Sequence, residues 1–318
     1  MAATLALIVV IVVGALIWGR AAFDRPGPLT HEAVVVLPQG IGLDGIARAL
    51  ARAGVIDQPW LFQLGVRFAG TARRLQAGEF AFSPGISARG VMEHLVSGRA
   101  LAHRLTVPEG MTSHHVIALI DGIGGLDGAI LVVPDEGTLL PETYHFSLGD
   151  SRVGMVRRMT GDMDRALAAL WAARKPGLPF TTAREGLILA SIVERESGQH
   201  DERRHVAGVF INRLNRGMRL QSDPTVIYAL AGGATRFEHV LSRADLKIDS
   251  PYNTYRYSGL PPGPIANPGH DSLTAVFDPL VTKDLYFVSN EAGGLTFAPT
   301  LAEHNRNVAK WRDSQQAN

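Results

Sequence analysis

Residues Met1–Gly19 carry no charged side chain, and this stretch constrains the chain more than any other feature. As a helix it would extend about 28 Å, close to the hydrocarbon thickness of a bilayer. Leu5, Leu7–Val13, Leu16, Ile17 and Trp18 make every face of that helix apolar. A helix apolar all round belongs in lipid or in the core of a large protein. Trp18 falls where an interfacial aromatic is expected. A cleaved signal peptide would carry a basic leading region and a shorter apolar run, so the stretch 1–19 reads as a membrane anchor. Arg20 and Arg25 follow it, and a count of flanking positive charge would keep that side cytoplasmic. A large following domain overrides such a count, so orientation has to come from function.

Residues 20–30 contain Pro26 and Pro28 and read as a linker. The 318-residue chain then has room for roughly two domains. Its 46% hydrophobic and 19% charged residues suit a globular protein. The net charge of +1 argues against a nucleic-acid partner. With no cysteine, a thiolate zinc site, a disulfide scaffold, a cysteine nucleophile and a lipidated N-terminal cysteine are excluded. Residues 31–105 read as a small α+β module: a strand at Val34–Leu37, helices over Gly42–Ala53 and Pro59–Phe68, a strand through Gly78, Phe80 and Phe82, and a helix around Val91–Leu95. Another strand begins near Arg104. Residues 106–318 form a larger, mixed α+β region. A glycine-rich loop at Gly122–Gly137 precedes a helix over Ser151–Arg174. Met155, Met159 and Met163 lie on one side of that helix and read as core filler.

The segment Thr181–Ser197 carries the chemistry. Thr182 and Glu185 have capping-box spacing, and Gly198 can end the helix. On a helical wheel Leu189, Ile192 and Val193 form an apolar stripe, with Glu196 in its middle. Glu194 falls nearly opposite, beside Leu187, Ala190 and Ser191. Desolvation and the negative helix end would both favour the protonated form of Glu196. Such a group can act as a general acid near neutral pH. By helix geometry alone, Glu194, Arg195 and Glu196 could equally form an exposed charged cluster. His200 and His205 are five residues apart, one too many for a zincin helix pair, and no metal site or cofactor is expected.

The block Leu189-Ala-Ser-Ile-Val-Glu-Arg-Glu-Ser197 resembles the signature of the YceG-like endolytic murein transglycosylases (the MltG type). The likeness continues through Val209–Leu214, Gly217–Tyr228, Leu241–Leu246, Ser250–Tyr255, Gly259–Gly269 and Leu285–Val288. Upstream it includes Leu140–Tyr144, although Leu139-Leu140 replaces an aromatic-rich form. It runs in order over roughly residues 30–310.

That resemblance implies an α+β protein with an N-terminal transmembrane helix, a small LysM-like module at 31–105 and a catalytic domain at 106–318. It implies an inner-membrane location with the catalytic domain on the extracytoplasmic side. The implied substrate is the β-1,4 bond between N-acetylmuramic acid and N-acetylglucosamine in peptidoglycan. Lytic transglycosylases pair the catalytic glutamate with a following serine or threonine, here Glu196-Ser197, so Glu196 is the expected catalytic residue and Glu194 the alternative. One carboxyl would donate its proton to the glycosidic oxygen, then take the proton of the muramic C6 hydroxyl as a 1,6-anhydro ring closes. Gln221, Asp223, Asn253, Thr254 and Tyr255 are the expected substrate-binding residues, each with a structural alternative in a turn or the core. The family also implies a role in limiting glycan length beside peptidoglycan synthases. Two rivals remain: a tethered glycan-binding assembly protein, and a hydrolase of lysozyme type.

Overall fold

The computed structural model describes residues 2–98, 100–196, 199–235, 237 and 239–317. Ser197 and Gly198, expected to support Glu196 and to end its helix, lie outside the described residues. The chain is a mixed α+β protein with an apolar N-terminal helix. It divides into two compact units, one of residues 1–104, 124–127 and 145–151, the other of 105–123, 128–144 and 152–318.

In the first unit the apolar stretch forms one helix, α1 (Ala2–Asp24). It runs five residues beyond the anchor boundary drawn at Gly19, because Phe23 packs into the core of this unit and is only 5% exposed. A Cβ at Gly65 would overlap the Phe23 ring, so that position needs glycine. The linker expected over 20–30 is therefore short and begins after a helix already docked. β1 (Ala33–Leu37) pairs antiparallel with β2 (Gly78–Phe82), in the register Ala33 to Phe82 and Leu37 to Gly78. Their inner residues Val35, Leu37, Phe80 and Phe82 alternate with outer ones, as the period of two requires. Three helices cover that face: α2 (Leu43–Arg52), α3 (Pro59–Phe68) and α4 (Ala88–Ser97). Ile46, Leu50, Leu61, Phe62, Val66, Val91 and Leu95 complete the core. The Ser87 hydroxyl caps α4 by accepting from the Gly90 N–H. A LysM-like identity for this module is not established by these elements alone.

Next come β3 (His103–Thr106), α5 (Ser113–Asp121), β4 (Leu126–Asp127), β5 (Thr143–Phe146) and β6 (Asp150–Ser151). In the second unit α6 (Arg152–Ala173) and α7 (Ala183–Glu196) are followed by α8 (Arg203–Asn215), α9 (Asp223–Ala231) and α10 (His270–Phe277). The hairpin β7 (Tyr286–Ser289) and β8 (Leu295–Ala298) precedes α11 (Leu301–Ala317). The start of α7 is the capping box read from sequence: Glu185 N–H donates to Thr182 Oγ1 at 3.2 Å, and Thr182 N–H donates to Glu185 Oε2 at 3.0 Å. Met155, Met159 and Met163 are buried as core filler.

α7 departs from the amphipathic picture. Every residue from Gly186 to Glu194 is buried, because α6, α8, α9 and α10 all pack against it. The glycines at the crossings permit this. A Cβ at Gly186 would overlap the Phe277 ring, and one at Gly208 of α8 would collide with the Leu280 carbonyl oxygen. The chain thus holds the middle of the signature helix at the centre of its larger core, with its two end turns reaching the surface.

Candidate active site

Burial of α7 assigns different fates to its two glutamates. Glu194 is enclosed and fully engaged. Its Oε1 accepts from Arg203 Nη2 at 2.9 Å, and its Oε2 accepts from the Gly269 N–H at 2.9 Å. The Arg203 guanidinium, itself buried, also donates to Glu109 at 2.9 Å. A buried carboxylate with a guanidinium and an amide on its two oxygens is a structural tie between α7, α8 and the loop before α10. The exposed-cluster alternative therefore fails for Glu194, and of the three charged residues only Arg195 is exposed.

Glu196 occupies the last turn of α7, and its carboxyl faces an open cavity of about 380 Å³. Arg213, Leu220, Gln221, Asp223, Tyr255, Tyr286, Phe287, Leu301 and His304 surround it. Among the described residues one hydrogen bond reaches the carboxyl: Ser222 Oγ donates to Oε1 at 2.6 Å. Burial pushes the Glu196 pKa up to about 7; the Ser222 hydroxyl pulls it down, the nearby Asp223 charge pushes it further up, and Arg213 draws it down. A carboxyl that keeps its proton near neutrality beside open space can donate it to a ligand and take one back.

The surrounding side chains are held by a dense backbone network. Arg213, on α8, donates to the carbonyls of Leu285 at 2.6 Å and Leu220 at 2.8 Å. Its guanidinium lies 5.1 Å from the Tyr286 ring centroid, and burial lowers its pKa. Gln221 has φ +50°, a left-handed conformation unusual for a residue with a Cβ. Two bonds impose it: Gln221 N–H donates to Thr254 O at 3.2 Å, and Ser222 N–H to Thr254 Oγ1 at 3.0 Å. Strain of this kind persists where neighbours over-determine the backbone, and it gathers at functional sites. Asp223 opens α9 with Pro224 in its first turn, so the tight approach ends in a helix start. Tyr255 reaches across to donate to Asp223 Oδ1 at 2.5 Å, and its own pKa is raised, chiefly by burial.

Of the five residues expected to bind substrate, the fold brings Gln221, Asp223 and Tyr255 to the cavity. Asn253 and Thr254 stand behind its wall. Asn253 is fully buried, with Nδ2 donating to the carbonyls of Leu246 and Ile248, and Oδ1 accepting from Tyr255 N–H. Thr254 shares a buried hydroxyl contact of 2.9 Å with Thr225. Both shape the turn that delivers Tyr255, and both side chains are buried away from the cavity. Along α7 the acid on the same side as Glu196 is Glu185, eleven residues earlier in the first turn and about 16 Å away along the axis. Asp223 reaches the same cavity from α9, a tertiary juxtaposition the wheel cannot show.

Ser222, Arg213, Tyr286 and His304 escaped the sequence reading. Ser222 lies inside the quoted Gly217–Tyr228 block, next to both residues chosen from it. His304 stacks on Tyr286 at 5.2 Å, and its buried Nδ1 has no hydrogen-bond partner. Burial and the Arg213 charge lower its pKa, keeping it neutral. The loop Gly259–Gly269 acts as scaffold: Ile265 N–H donates to Ser191 Oγ, and the Asn267 side chain ties Met111 to Leu139. Among the described residues no group of three or more His, Asp or Glu side chains is placed to hold a metal ion.

Known proteins share this sequence over most of its length. The YceG-like family pattern matches residues 35–310. A relative named endolytic murein transglycosylase, from Bacillus subtilis (strain 168), is 30% identical, over 96% of this chain and 92% of its own. A relative of the same name from Streptococcus pneumoniae serotype 2 is 27% identical, over 88% of this chain and 58% of its own. The crystal structure of a yceG-like protein from Listeria monocytogenes aligns with a TM-score of 0.53 at 29% identity, covering 87% of this chain and 99% of that one. Since the matched span contains the whole cavity from Glu196 to His304, the chain is a member of the YceG-like family.

Proposed function

We propose that this protein is a peptidoglycan lytic transglycosylase with Glu196 as its single acid–base residue. The observation carrying this reading is the Glu196 carboxyl: desolvated, with a pKa near 7, and facing an open cavity lined by polar and aromatic side chains. The activity in the relatives' names supports it. The substrate is the β-1,4 bond between N-acetylmuramic acid and N-acetylglucosamine. Protonated Glu196 donates to the glycosidic oxygen as the bond to C1 breaks. The carboxylate left behind takes the proton from the muramic C6 hydroxyl, whose oxygen bonds to C1. The products are a 1,6-anhydro end and a free 4-hydroxyl, with no water consumed.

Each neighbour has a place in this scheme. Asp223 favours the proton on Glu196 before cleavage. Ser222 steadies the carboxylate between the two transfers, as a hydroxyl donor stabilises the charged form. Tyr255 and Tyr286 offer ring faces to sugar, while Gln221 offers polar contacts. Asn253 and Thr254 position that wall.

The anchor, a LysM-like role for residues 31–105 and an extracytoplasmic catalytic domain complete the proposal, as does action beside synthases to limit strand length. The apolar α1 supports membrane attachment. An extracytoplasmic active site follows from where peptidoglycan lies.

Presence of Asp223 in the cavity gives the hydrolase rival a second carboxylate. Mass spectrometry of products from purified sacculi separates the two, since hydrolysis adds a water and ring closure does not. The expected products are anhydromuropeptides, and Glu196→Gln should reduce their release by about 10³-fold or more while preserving the fold. Wild-type cutting by that variant would end the assignment, and hydrated products would replace transglycosylation by hydrolysis.

A further inference from the structure

The helix α3 presents two apolar faces. Leu61, Phe62 and Val66 fill the core of the first unit. On another side Trp60, Leu64 and Phe68, spaced four apart, form a stripe that is 54%, 44% and 74% exposed. A helix apolar on more than one side is normally covered on each. Among the described residues this stripe meets α1 alone and stays largely open.

Trp60 stacks on Trp18 of α1 with ring centroids 6.3 Å apart. Leu64 and Phe68 line an apolar groove of about 450 Å³ together with Ala15, Leu16 and Gly19 of α1. If α1 spans a bilayer, Leu16 has to lie at hydrocarbon depth. The uncharged run of α1 ends at Arg20, and Leu16 lies four residues, about 6 Å, inside that end. Groups sharing a groove with Leu16 therefore lie at or just inside the membrane boundary. The charges agree: Arg67, Arg73 and Arg74 are exposed on and just after α3, and no acidic residue occurs between Asp57 and Glu79. Basic side chains beside an immersed apolar stripe suit anionic headgroups.

We propose that α3 is a second membrane-contacting element, inserting Trp60, Leu64 and Phe68 among lipid acyl chains where α1 leaves the bilayer. Arg67, Arg73 and Arg74 meet the phosphates of that leaflet. The module then rests on the membrane through a helix and a stripe, so it cannot swing freely about the end of α1. The proposal depends on α1 crossing the membrane, and its test keeps the two apart.

The chain has no cysteine, so single nitroxide labels can be placed without other changes. Full-length Leu16→Cys, Leu64→Cys and Phe68→Cys proteins would be reconstituted in nanodiscs of phosphatidylethanolamine and phosphatidylglycerol. Collision with oxygen, which partitions into lipid, is compared with collision by a water-soluble nickel chelate. Labels at 64 and 68 should match the label at 16, oxygen-accessible and shielded from nickel. Nickel access at 64 and 68 with shielding at 16 would overturn the proposal and leave the anchor standing. Shielding from both reagents would mean a protein partner, such as a second copy, and would also overturn it. Nickel access at 16 would remove the anchor and the proposal together.

Discussion

At the residue scale, the protein separates two carboxylates two positions apart by what each is given. Glu194 has a guanidinium and an amide; Glu196 has one hydroxyl, a neighbouring acid and a cavity. In the proposed mechanism the reaction begins with Glu196 protonated, so kcat/KM should fall as pH rises through about 7. The two neighbours should move that descending limb in opposite directions. Ser222→Ala removes a bond that favours the charged form, so the limb moves to higher pH. Asp223→Asn removes a like charge, so the limb moves lower. Initial rates on soluble glycan across a pH series check both, and shifts of the same sign would contradict the arrangement. Glu194 predicts a stability effect instead. Arg203→Met leaves its carboxylate buried without a counter-charge, which should cost about 3–5 kcal/mol in denaturant unfolding.

At the element scale, close crossings around α7 decide how precisely Glu196 is held. Ala is better than Gly in a helix interior by about 1 kcal/mol, so Gly208→Ala in α8 would be stabilising on propensity alone. A Cβ there meets the Leu280 carbonyl, a backbone atom that cannot rotate away. Overpacking of this kind costs about 1–3 kcal/mol, and the expected net result is a lower midpoint of unfolding. The same α8 carries Arg213 to the cavity, so turnover should fall with stability. Sequence periodicity disclosed most elements before the site, with α3 and β2 at their observed bounds. It did not disclose α5, although Val116, Ile117 and Ile120 have helical spacing behind Thr112 as a cap. It also mistook α7 for amphipathic, because a central helix is apolar all round and a wheel drawn through it picks out an arbitrary stripe.

At the scale of the whole molecule, each unit has its own buried cluster, one around Leu50 and Phe80, the other around Ile192 and Phe210. Separate cores predict separable unfolding. Leu50→Ala, at a fully buried position, should cost the first unit about 2–5 kcal/mol. It should leave the unfolding of the second unit, and turnover of soluble glycan fragments, near wild type. Hydrogen exchange resolved by peptide would show faster opening confined to residues 1–104 if the cores are independent. Phe23 makes the end of α1 part of that first core, so the apolar helix and the module form one continuous element rather than bead and tether.

The sequence by itself determined the apolar helix, the α+β character and the capping box at Thr182, and it singled out Glu196 as the proposed acid, because these rest on local spacing or on motif residues contiguous in the chain. Tertiary structure alone decided the partners: that Arg203 neutralises Glu194, that Ser222 and Asp223 meet Glu196, and that Asn253 supports the wall while Tyr255 enters it. Neighbours far apart in sequence set solvation, and solvation sets which carboxyl keeps its proton. No pattern along α7 encodes what α8, α9 and α11 place beside it.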